Sequence, residues 1–291
     1  MLEMKAIDKS YGKKHILQSI HLSIEEGVCY GLVGPNGAGK STIMKIIAGI
    51  IHADHGSVNV NKNTTIGYIP QDICLEEQLS AKVNLAYFGK LYGLRGSHLK
   101  KRMDDVLRLV DLTERAEEKV ATFSGGMQRR LHIACALLHE PQLILMDEPT
   151  VGIDPQSRQA IFTVLKQLQQ DGATIIYASH HIEEVEQLCD FVAFIDNGKL
   201  IEAAALETLF KKYNQQQVYV KGLDPLPALE KEEVIIEKAG GYLITSSTPY
   251  AVMTKLLEEQ KRYATSIERL ELVQTRLADV FFLLTGTHLR D

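Results

Sequence analysis

The chain has 291 residues, of which 45% are hydrophobic, so it can bury the cores of two modest domains, and general disorder is excluded. The 32 basic and 37 acidic residues give a formal net charge of −5. This balance argues against a broad basic surface, and therefore against nucleic acid as the main partner.

The first part of the chain has the pattern of two short strands, followed by a strand, a loop and a helix. Strands are predicted at 2–7 and 16–24, and an apolar run at 28–33 predicts a buried strand. Residues 34–41 read GPNGAGKS, which fits the phosphate-binding loop G-x-x-x-x-G-K-[ST]. Because helical spacing follows at 42–47, the loop is predicted to lie at a helix N-terminus, where backbone N–H groups and the helix dipole favour anions.

The residues of this loop have predicted roles in binding a nucleoside phosphate. The glycines let consecutive backbone N–H groups turn inward around phosphate oxygens. Lys40 is predicted to reach the β- and γ-phosphates, and the Ser41 hydroxyl to bind Mg²⁺. A chance Gly-rich turn is the alternative, and the flanking strand and helix count against it. The predicted phosphate-binding residues are Gly34, Pro35, Asn36, Gly37, Ala38, Gly39, Lys40, Ser41 and Thr42.

The middle of the chain predicts a helical insertion at about 72–140. It follows two further strands at 56–60 and 65–69. Within it, residues 124–126 read Ser-Gly-Gly and precede a segment with helical spacing. This is a second helix start suited to anions, although Ser-Gly-Gly on its own is a common turn.

Near-continuous apolar strands then recur at 143–146, 174–177 and 191–195, and the segments between them predict helices. This pattern indicates a parallel sheet that is covered on both faces. Asp147 and Glu148 follow the first of these strands, at the carboxyl end where open α/β sheets bind ligands. Asp147 is suited to hold Mg²⁺, and Glu148 to polarise a water for attack on the γ-phosphorus. The alternative is a pair of capping carboxylates before a turn.

The polar stretch at 211–217 marks a change in character, and we place a domain boundary near residue 212. Residues 1–212 then form the first domain. Residues 213–291 are predicted to form a small α/β domain with strands at 218–220, 234–236 and 243–245 and helices near 252–260 and 275–284.

Two further observations concern the compartment. No apolar run approaches the ~20 residues that a helix needs to cross a bilayer, and the N-terminal residues lack the pattern of a signal peptide. None of the cysteines belongs to a C-x-x-C pair. We interpret all four as reduced core residues of a cytosolic protein: Cys29, Cys74, Cys135 and Cys189.

Three motifs in this order resemble the ATP-binding cassette of ABC transporters: GPNGAGKS at 34–41, Ser-Gly-Gly at 124–126 and Asp-Glu-Pro-Thr at 147–150. The resemblance covers residues 1–212 throughout. It implies a P-loop ABC ATPase domain of α/β class, with a mixed sheet core, an antiparallel β edge and a helical subdomain. It also implies ATP and Mg²⁺ as cofactors and a homodimer of cassettes in the ATP-bound state.

The resemblance extends the predicted site beyond these motifs. Tyr11 matches the aromatic residue that stacks on adenine, and Gln71 matches the glutamine that contacts Mg²⁺ and the attacking water and faces the membrane partner. His180 matches the histidine that contacts the γ-phosphate, and Asp154 matches the aspartate that communicates across the dimer. Without the resemblance these would be a turn aromatic, a polar loop residue, a structural histidine and an N-cap.

The implied sets are therefore as follows. The catalytic residues are Glu148, His180, Gln71 and Lys40, and the Mg²⁺ ligands are Ser41, Gln71 and Asp147. The residues that would bind the nucleotide held by a second copy are Ser124, Gly125 and Gly126. Met127 departs from the family, in which glutamine is common, so a side-chain contact to the partner-bound nucleotide is missing. Val28 replaces a residue that is acidic in many relatives.

Three phrases look like the drug-exporter group of bacterial cassette subunits, in which the ATPase and the membrane channel are separate polypeptides. They are LYGL at 91–94, PTVGIDP at 149–155 and LADVFFLLTG at 277–286. This group implies a subunit that binds and hydrolyses ATP on the inner face of the plasma membrane. It would power an integral membrane permease that exports a drug-like, peptide, lipid or ion cargo, and its C-terminal domain would serve dimer contact or regulation.

Other functions stay open at this point. A soluble ABC-type ATPase acting on the ribosome or DNA is the main alternative, but such proteins usually have two cassettes or a long coiled coil, and basic surfaces. A nucleotide sensor without turnover is disfavoured by the presence of Glu148, Gln71 and His180. A GTPase is disfavoured because no Asn-Lys-x-Asp motif occurs; the run at 61–64 lacks the final Asp.

Overall fold

The computed structural model describes residues 1–213, 217–223, 226, 234–263, 266–273 and 275–286. They fall into two compact units, the first spanning Met1–Leu206 and the second beginning at Glu207. Each unit has its own buried apolar cluster. Among the helices described, none combines the length and the apolar character that crossing a bilayer demands.

The strands and helices are numbered in chain order. The described strands are β1 (Leu2–Tyr11), β2 (Lys14–Ile24), β3 (Cys29–Val33), β4 (His55–Val60), β5 (Ile66–Ile69), β6 (Leu143–Asp147), β7 (Thr174–Ser179), β8 (Phe191–Asp196), β9 (Lys199–Ala205), β10 (Gln217–Lys221), β11 (Val234–Lys238), β12 (Gly241–Thr245) and β13 (Arg269–Val273). The described α-helices are α1 (Lys40–Ile47), α2 (Ala81–Leu91), α3 (Gly96–Leu109), α4 (Gly125–Leu137), α5 (Pro155–Gln170), α6 (Ile182–Leu188), α7 (Leu206–Tyr213), α8 (Pro249–Tyr263) and α9 (Leu277–Thr285).

The first unit begins with an antiparallel sheet of order β2-β1-β4. Strands β1 and β2 form a hairpin in which Tyr11 pairs with Lys14, and Gly12 in the turn has a φ of +59°, which glycine adopts without strain. In the second half of β2 buried and exposed residues alternate, because one face of the strand packs on the core. This sheet is the predicted antiparallel edge.

The central sheet has the order β5-β6-β7-β3-β8-β9. Its first five strands are parallel, and β9 runs antiparallel to β8. Every residue of β3, β6 and β7 is buried, as the near-continuous apolar runs predicted. The predicted mixed α/β fold is confirmed, but β9 was not predicted, because its alanine-rich sequence has low strand propensity.

Three helices, α2, α3 and α4, form the helical subdomain between β5 and β6. A loop that begins at Gln71 leads into it. Cys74 lies in this loop and is exposed, so its interpretation as a core residue is wrong; the loop around it is polar. The other three cysteines are buried and free, as expected.

The second unit contains an antiparallel sheet of order β11-β12-β10-β13. Its core forms between β10, β12 and α8, and includes Val218, Val220, Ile244, Val252 and Leu256. Strand β13 was not predicted, although Arg269, Leu270, Glu271 and Leu272 alternate between charged and apolar side chains as in a half-buried strand. Parts of the predicted C-terminal domain lie outside the described residues.

Candidate active site

The loop between β3 and α1 lies at the carboxyl end of a central strand of the parallel sheet. Its backbone has φ angles of +83° at Gly37 and +109° at Gly39, which residues with a side chain rarely adopt. A Cβ atom at Gly39 would lie 2.6 Å from Leu17 Cδ2, and one at Gly34 would lie 2.1 Å from the carbonyl oxygen of Ile195. Glycine is therefore required at Gly34 and Gly39 for the loop to pack this closely.

Helix α1 begins with backbone N–H groups that no described side chain caps. These uncapped donors and the helix dipole make the helix start a suitable place for phosphate oxygens. Asn36 and Gly37 are exposed at the tip of the loop, and Thr42 is half-buried in the first helical turn. Ala38 is buried, and its N–H donates to the carbonyl oxygen of Pro35 at 3.1 Å.

Lys40 and Glu148 form a buried ion pair beside this helix start. Lys40 is 5% exposed, and its Nζ lies 3.1 Å from Glu148 Oε1. The same Nζ donates to the carbonyl oxygens of Gly34 at 2.7 Å and Pro35 at 3.3 Å. A buried charge needs such partners, and Nζ has three of them. Glu148 Oε1, by contrast, accepts no hydrogen bond from the described residues.

His180 lies on the other side of the Glu148 carboxylate. Its Nδ1 is 2.7 Å from Glu148 Oε2, and its backbone N–H donates to the same oxygen at 3.4 Å. The φ of Glu148 is +50°, in the left-handed region that a non-glycine residue occupies only when its surroundings hold it there. The His181 ring is tilted against the His180 ring, with 4.0 Å between the centroids.

Asp147 and Ser41 supply oxygens at the same edge of the sheet. The Ser41 hydroxyl donates to Asp147 Oδ1 at 3.0 Å, and the Tyr68 hydroxyl donates to Asp147 Oδ2 at 3.5 Å. Burial raises the pKa of Asp147, and the Ser41 hydrogen bond partly opposes this shift. Burial, together with the Asp147 charge, also raises the pKa of Tyr68. A hydroxyl and a carboxylate are ligands that Mg²⁺ accepts, so this pair fits a magnesium site.

Gln71 lies at the start of the loop after β5 and is exposed. Among the described residues, the structure gives its side chain no hydrogen bond to Asp147 or Glu148. Its backbone, however, is held from α4: the buried Arg129 guanidinium donates to the carbonyl oxygens of Pro70, at 3.0 Å, and Gln71. Arg129 was not singled out in the sequence, because a basic residue on a helix gives no local sign of being buried.

The second predicted helix start, at 124–126, is built differently from the first. Ser124 caps α4, with its Oγ accepting from Met127 N at 3.2 Å. Asp154 caps the neighbouring helix α5, and its hydrogen bonds with Ser157 lower its pKa. A Cβ atom at Gly126 would lie 2.1 Å from Ser157 Oγ, so the starts of α4 and α5 pack together.

Tyr11 lies at the end of β1 and is 53% exposed. Its ring centroid is 5.6 Å from Lys9 Nζ, a distance at which a cation interacts with an aromatic face. The exposed part of the ring leaves an aromatic surface on which a base can stack. The structure thus brings together Lys40, Glu148 and His180, and also Ser41 and Asp147, but it does not bring the exposed Tyr11 ring into this cluster.

Comparison with known proteins places this arrangement in a family. The linearmycin resistance ATP-binding protein LnrL of Bacillus subtilis (strain 168) is 41% identical, and the match covers 100% of both chains. The family model described as ABC transporter matches residues 17–151. This chain belongs to the ABC transporter family. It is an ATP-binding subunit of the exporter-type group and an ATPase, as the sequence predicted.

Other relatives and solved structures support the assignment of this subunit to the ABC transporter family. The Nod factor export ATP-binding protein I of Sinorhizobium fredii is 34% identical over 100% of this chain and 87% of the relative. The solved structure of the ATP-binding subunit of an ABC transporter aligns with a TM-score of 0.66, at 29% identity, over 73% of this chain and 93% of that one. The cassette MJ0796, solved as a dimer in a post-hydrolysis state with ADP and Pi, aligns with a TM-score of 0.64, at 27% identity, over 71% and 99%.

Proposed function

We propose that two copies of this ABC subunit enclose two molecules of Mg-ATP and hydrolyse them to drive a separate integral membrane permease. The observation that carries this proposal is the cluster of Lys40, Glu148 and His180 at the start of α1. The cluster lies where the parallel strands end, which is the edge at which α/β sheets bind ligands. Its charges and donors are those that phosphoryl transfer requires.

Glu148 is the proposed general base. The carboxylate accepts a proton from the attacking water while the water oxygen bonds to the γ-phosphorus, and the bond from that phosphorus to the β–γ bridging oxygen breaks to leave ADP and phosphate. Glu148 Oε1 is buried without a hydrogen-bond donor among the described residues, so one lone pair is available to a water. His180 and Lys40 orient the carboxylate from both sides.

Lys40 and the start of α1 are the proposed phosphate site. Lys40 Nζ now donates to loop carbonyl oxygens, and phosphate oxygens would take over these bonds as better acceptors for a cation. The uncapped N–H groups of α1 would stabilise the same anion. His180 would contact the γ-phosphate, and the exposed ring of Tyr11 would stack on adenine.

Ser41 and Asp147 are the proposed ligands of Mg²⁺, and their oxygens are already 3.0 Å apart. The ion, when bound, neutralises charge on the β- and γ-phosphates. Gln71 is proposed as the third ligand, and its exposed side chain is free to turn toward the ion.

Residues Ser124, Gly125 and Gly126 are proposed to bind the nucleotide of the second copy. Ser124 and Gly125 are exposed, and no described heavy atom lies within 4 Å of the position that a Gly125 Cβ would take. A second chain could therefore approach this helix start. The dimeric cassette MJ0796 supports such pairing. Met127 lacks the amide of glutamine, and its backbone N–H already donates to Ser124 Oγ.

A surface on α2 supports the proposal of a membrane partner. Val83, Tyr87 and Leu91 follow one another at four-residue spacing on one face of this helix, and all are exposed, Leu91 to 65%. With Leu79, they form an apolar stripe that begins shortly after Gln71, and such contiguous patches mark interaction sites. We propose that a cytoplasmic segment of the permease packs here, which would place the subunit on the inner face of the plasma membrane. The neighbour cbiO1 of Clostridium perfringens is described as part of the ABC transporter complex cbiONQ.

The cargo is proposed to be an exported small molecule, with linearmycin as the first candidate. LnrL is named for linearmycin resistance, and several relatives are named for Nod factor export. A strain that lacks this chain should become more sensitive to such a compound, and the wild-type chain should restore resistance. A soluble ATPase acting on the ribosome would instead co-purify with RNA and not with a membrane protein.

The central test uses Glu148→Gln. This variant should bind ATP as tightly as the wild type, lose hydrolysis by about 100-fold or more, and form a dimer in Mg-ATP that light scattering detects. Glu140→Gln, an exposed carboxylate outside the cluster, is the matched control and should behave as the wild type. Hydrolysis at the wild-type rate by Glu148→Gln would contradict the assignment of the base.

A further inference from the structure

The buried carboxylate of Glu184, on the short helix α6, is not explained by the site described so far. Glu184 is 3% exposed. Its Oε2 accepts three hydroxyl hydrogen bonds, from Thr150 Oγ1 at 2.7 Å, Tyr177 OH at 2.8 Å and Ser179 Oγ at 3.2 Å. One oxygen therefore connects α6, the end of β7 and the loop after β6.

The other oxygen of Glu184 pairs with a cation. Glu184 Oε1 lies 3.3 Å from Arg158 Nε on α5. Neither atom has a hydrogen-bond partner among the described residues, so this contact is electrostatic. The carboxylate is thus balanced by one guanidinium and three hydroxyl dipoles, which offset part of the large cost of burying a charge.

Only a carboxylate satisfies this arrangement. An ionised carboxylate accepts hydrogen bonds at about four positions and donates none, whereas the amide oxygen of glutamine accepts about two. In Glu184→Gln, an amide NH₂ that faces the hydroxyl groups would force at least one of them to turn from donating to accepting, and an amide NH₂ that faces the Arg158 guanidinium would meet another donor. The amide would therefore loosen the network while keeping the size of the side chain.

Two of the three hydroxyl groups belong to residues next to the proposed catalytic groups. Thr150 lies two residues after Glu148, and Ser179 directly precedes His180. Ser179 Oγ also accepts from His181 N at 3.0 Å, which ties the start of α6 to the end of β7. The Glu148 carboxylate and the His180 ring are 2.7 Å apart, so small shifts of either segment would change that contact.

We infer that Glu184 is a positioning residue for ATP hydrolysis: by holding Thr150 and Ser179 on one oxygen, it fixes the Glu148 carboxylate against His180. Glu148 needs such support, because its φ of +50° is strained for a residue with a side chain. This inference rests on the proposed roles of Glu148 and His180. A network that only stabilises α6 is the competing explanation.

The first experiment compares Glu184→Gln with Glu183→Gln in steady-state ATPase assays on the full chain. Glu183 is exposed on the same helix, so this control removes the same charge outside the network. In Glu184→Gln we expect kcat to fall about 10- to 100-fold while KM for Mg-ATP changes less than about threefold, because misplaced catalytic groups reduce rate more than binding. Glu183→Gln should match the wild type in both.

The outcomes of this experiment separate the two proposals. An unchanged kcat in Glu184→Gln, or a loss that follows only the unfolded fraction measured by circular dichroism at the assay temperature, would overturn the positioning role. Hydrolysis by Glu148→Gln at the wild-type rate would instead overturn the proposed function of the site. A wild-type chain that binds ATP without turnover would also do so.

A second pair of variants applies if Glu184→Gln fails to fold. Thr150→Val and Tyr177→Phe each remove one hydroxyl donor to the same oxygen and nearly preserve shape. Thr150 lies two residues after Glu148, whereas Tyr177 lies within β7, three residues before His180. We expect Thr150→Val to reduce kcat at least fivefold more than Tyr177→Phe at similar melting temperatures. Equal reductions that follow stability would show a structural role and overturn the inference.

Discussion

The helix starts at α1 and α4 both contain glycine, but their surroundings differ. At α1 the loop is enclosed by its own chain: a Cβ atom at Gly34 or Gly39 would collide with residues of β8 or β2. The Lys40 side chain is buried there, with Glu148 beside it. At α4, Ser124 and Gly125 are exposed, and a Cβ atom at Gly125 would meet nothing within 4 Å.

This difference indicates which functional groups each helix start contributes to the proposed site. The start of α1 has a buried cation, a carboxylate pair and a histidine nearby, and these are the groups that we propose to act in hydrolysis. The start of α4 contributes only a capping hydroxyl and backbone donors, on an open surface. We therefore expect variants at α1 to affect binding and catalysis, and variants at α4 to affect only the steps that need two copies.

The largest expected effect is at α1. Lys40→Ala should weaken ATP binding and reduce hydrolysis by about 100- to 1,000-fold, because a buried charge opposite the phosphates is lost. Lys45→Ala, an exposed lysine on the same helix, is the control and should retain both. Isothermal titration calorimetry gives the affinity and phosphate release gives the rate. If Lys40→Ala binds ATP normally, Lys40 does not belong to the phosphate site.

The next effect separates the two helix starts. Gly125→Asp should fold, since its side chain has space and an acidic residue suits the first turn of a helix. It should leave ATP binding to the single chain unchanged, but reduce hydrolysis about 100-fold, because its charge would repel a phosphate brought by a second copy. Dimer formation in the Glu148→Gln background provides the second measurement.

The control for this variant is Gly125→Asn, which has the same size without the charge and should lose much less activity. If Gly125→Asp hydrolyses ATP at the wild-type rate, the start of α4 does not meet the nucleotide, and the contrast between the two helix starts fails.

Some residues of the proposed site could be predicted from the sequence, and others could not. The phosphate loop and the Asp147–Glu148 pair were identified because their function requires neighbouring residues in a fixed local pattern. Arg129 and Glu184 were not, because nothing in the neighbouring sequence distinguishes a buried charge from a solvated one, and Pro70 and Thr150, which bond to them, lie 59 and 34 residues away. For the same reason, the sequence predicted the strands that precede Gln71 and His180 but not which atoms hold the loops that follow these strands.

The pH dependence of stability tests whether the His132 side chain on α4 is buried. His132 is buried on this helix, and burial, with a smaller effect of the Arg129 charge, lowers its pKa to about 4. Because the unfolded chain has the ordinary value near 6.5, the unfolded state binds a proton first as the pH falls. The His132 contribution to stability is therefore intact above about pH 6.5 and is progressively lost as the pH falls toward 4.

Between pH 7 and pH 5 this loss should be about 2 kcal/mol of unfolding free energy. His132→Leu, which replaces the ring with an apolar side chain that does not titrate, should make the pH dependence shallower by that amount in urea denaturation curves. His98→Leu, on α3, is the comparison variant. If His132→Leu keeps the wild-type slope, the ring is accessible to solvent and α4 is less firmly packed than described.

The smallest expected effect concerns the contact between α4 and α5. A methyl group at Gly126 would lie 2.4 Å from Ser157 Cβ, so Gly126→Ala must push the starts of the two helices apart and should cost about 1–2 kcal/mol of stability. Gly125→Ala, one residue earlier, meets no atom and should fold as stably as the wild type. Because Asp154 caps α5 beside this contact, Gly126→Ala should also weaken the ATP-dependent dimer while leaving ATP binding to the single chain intact. Equal stability of the two alanine variants would mean that the two helix starts are not in contact, and that α4 is free to present its N-terminus in another direction.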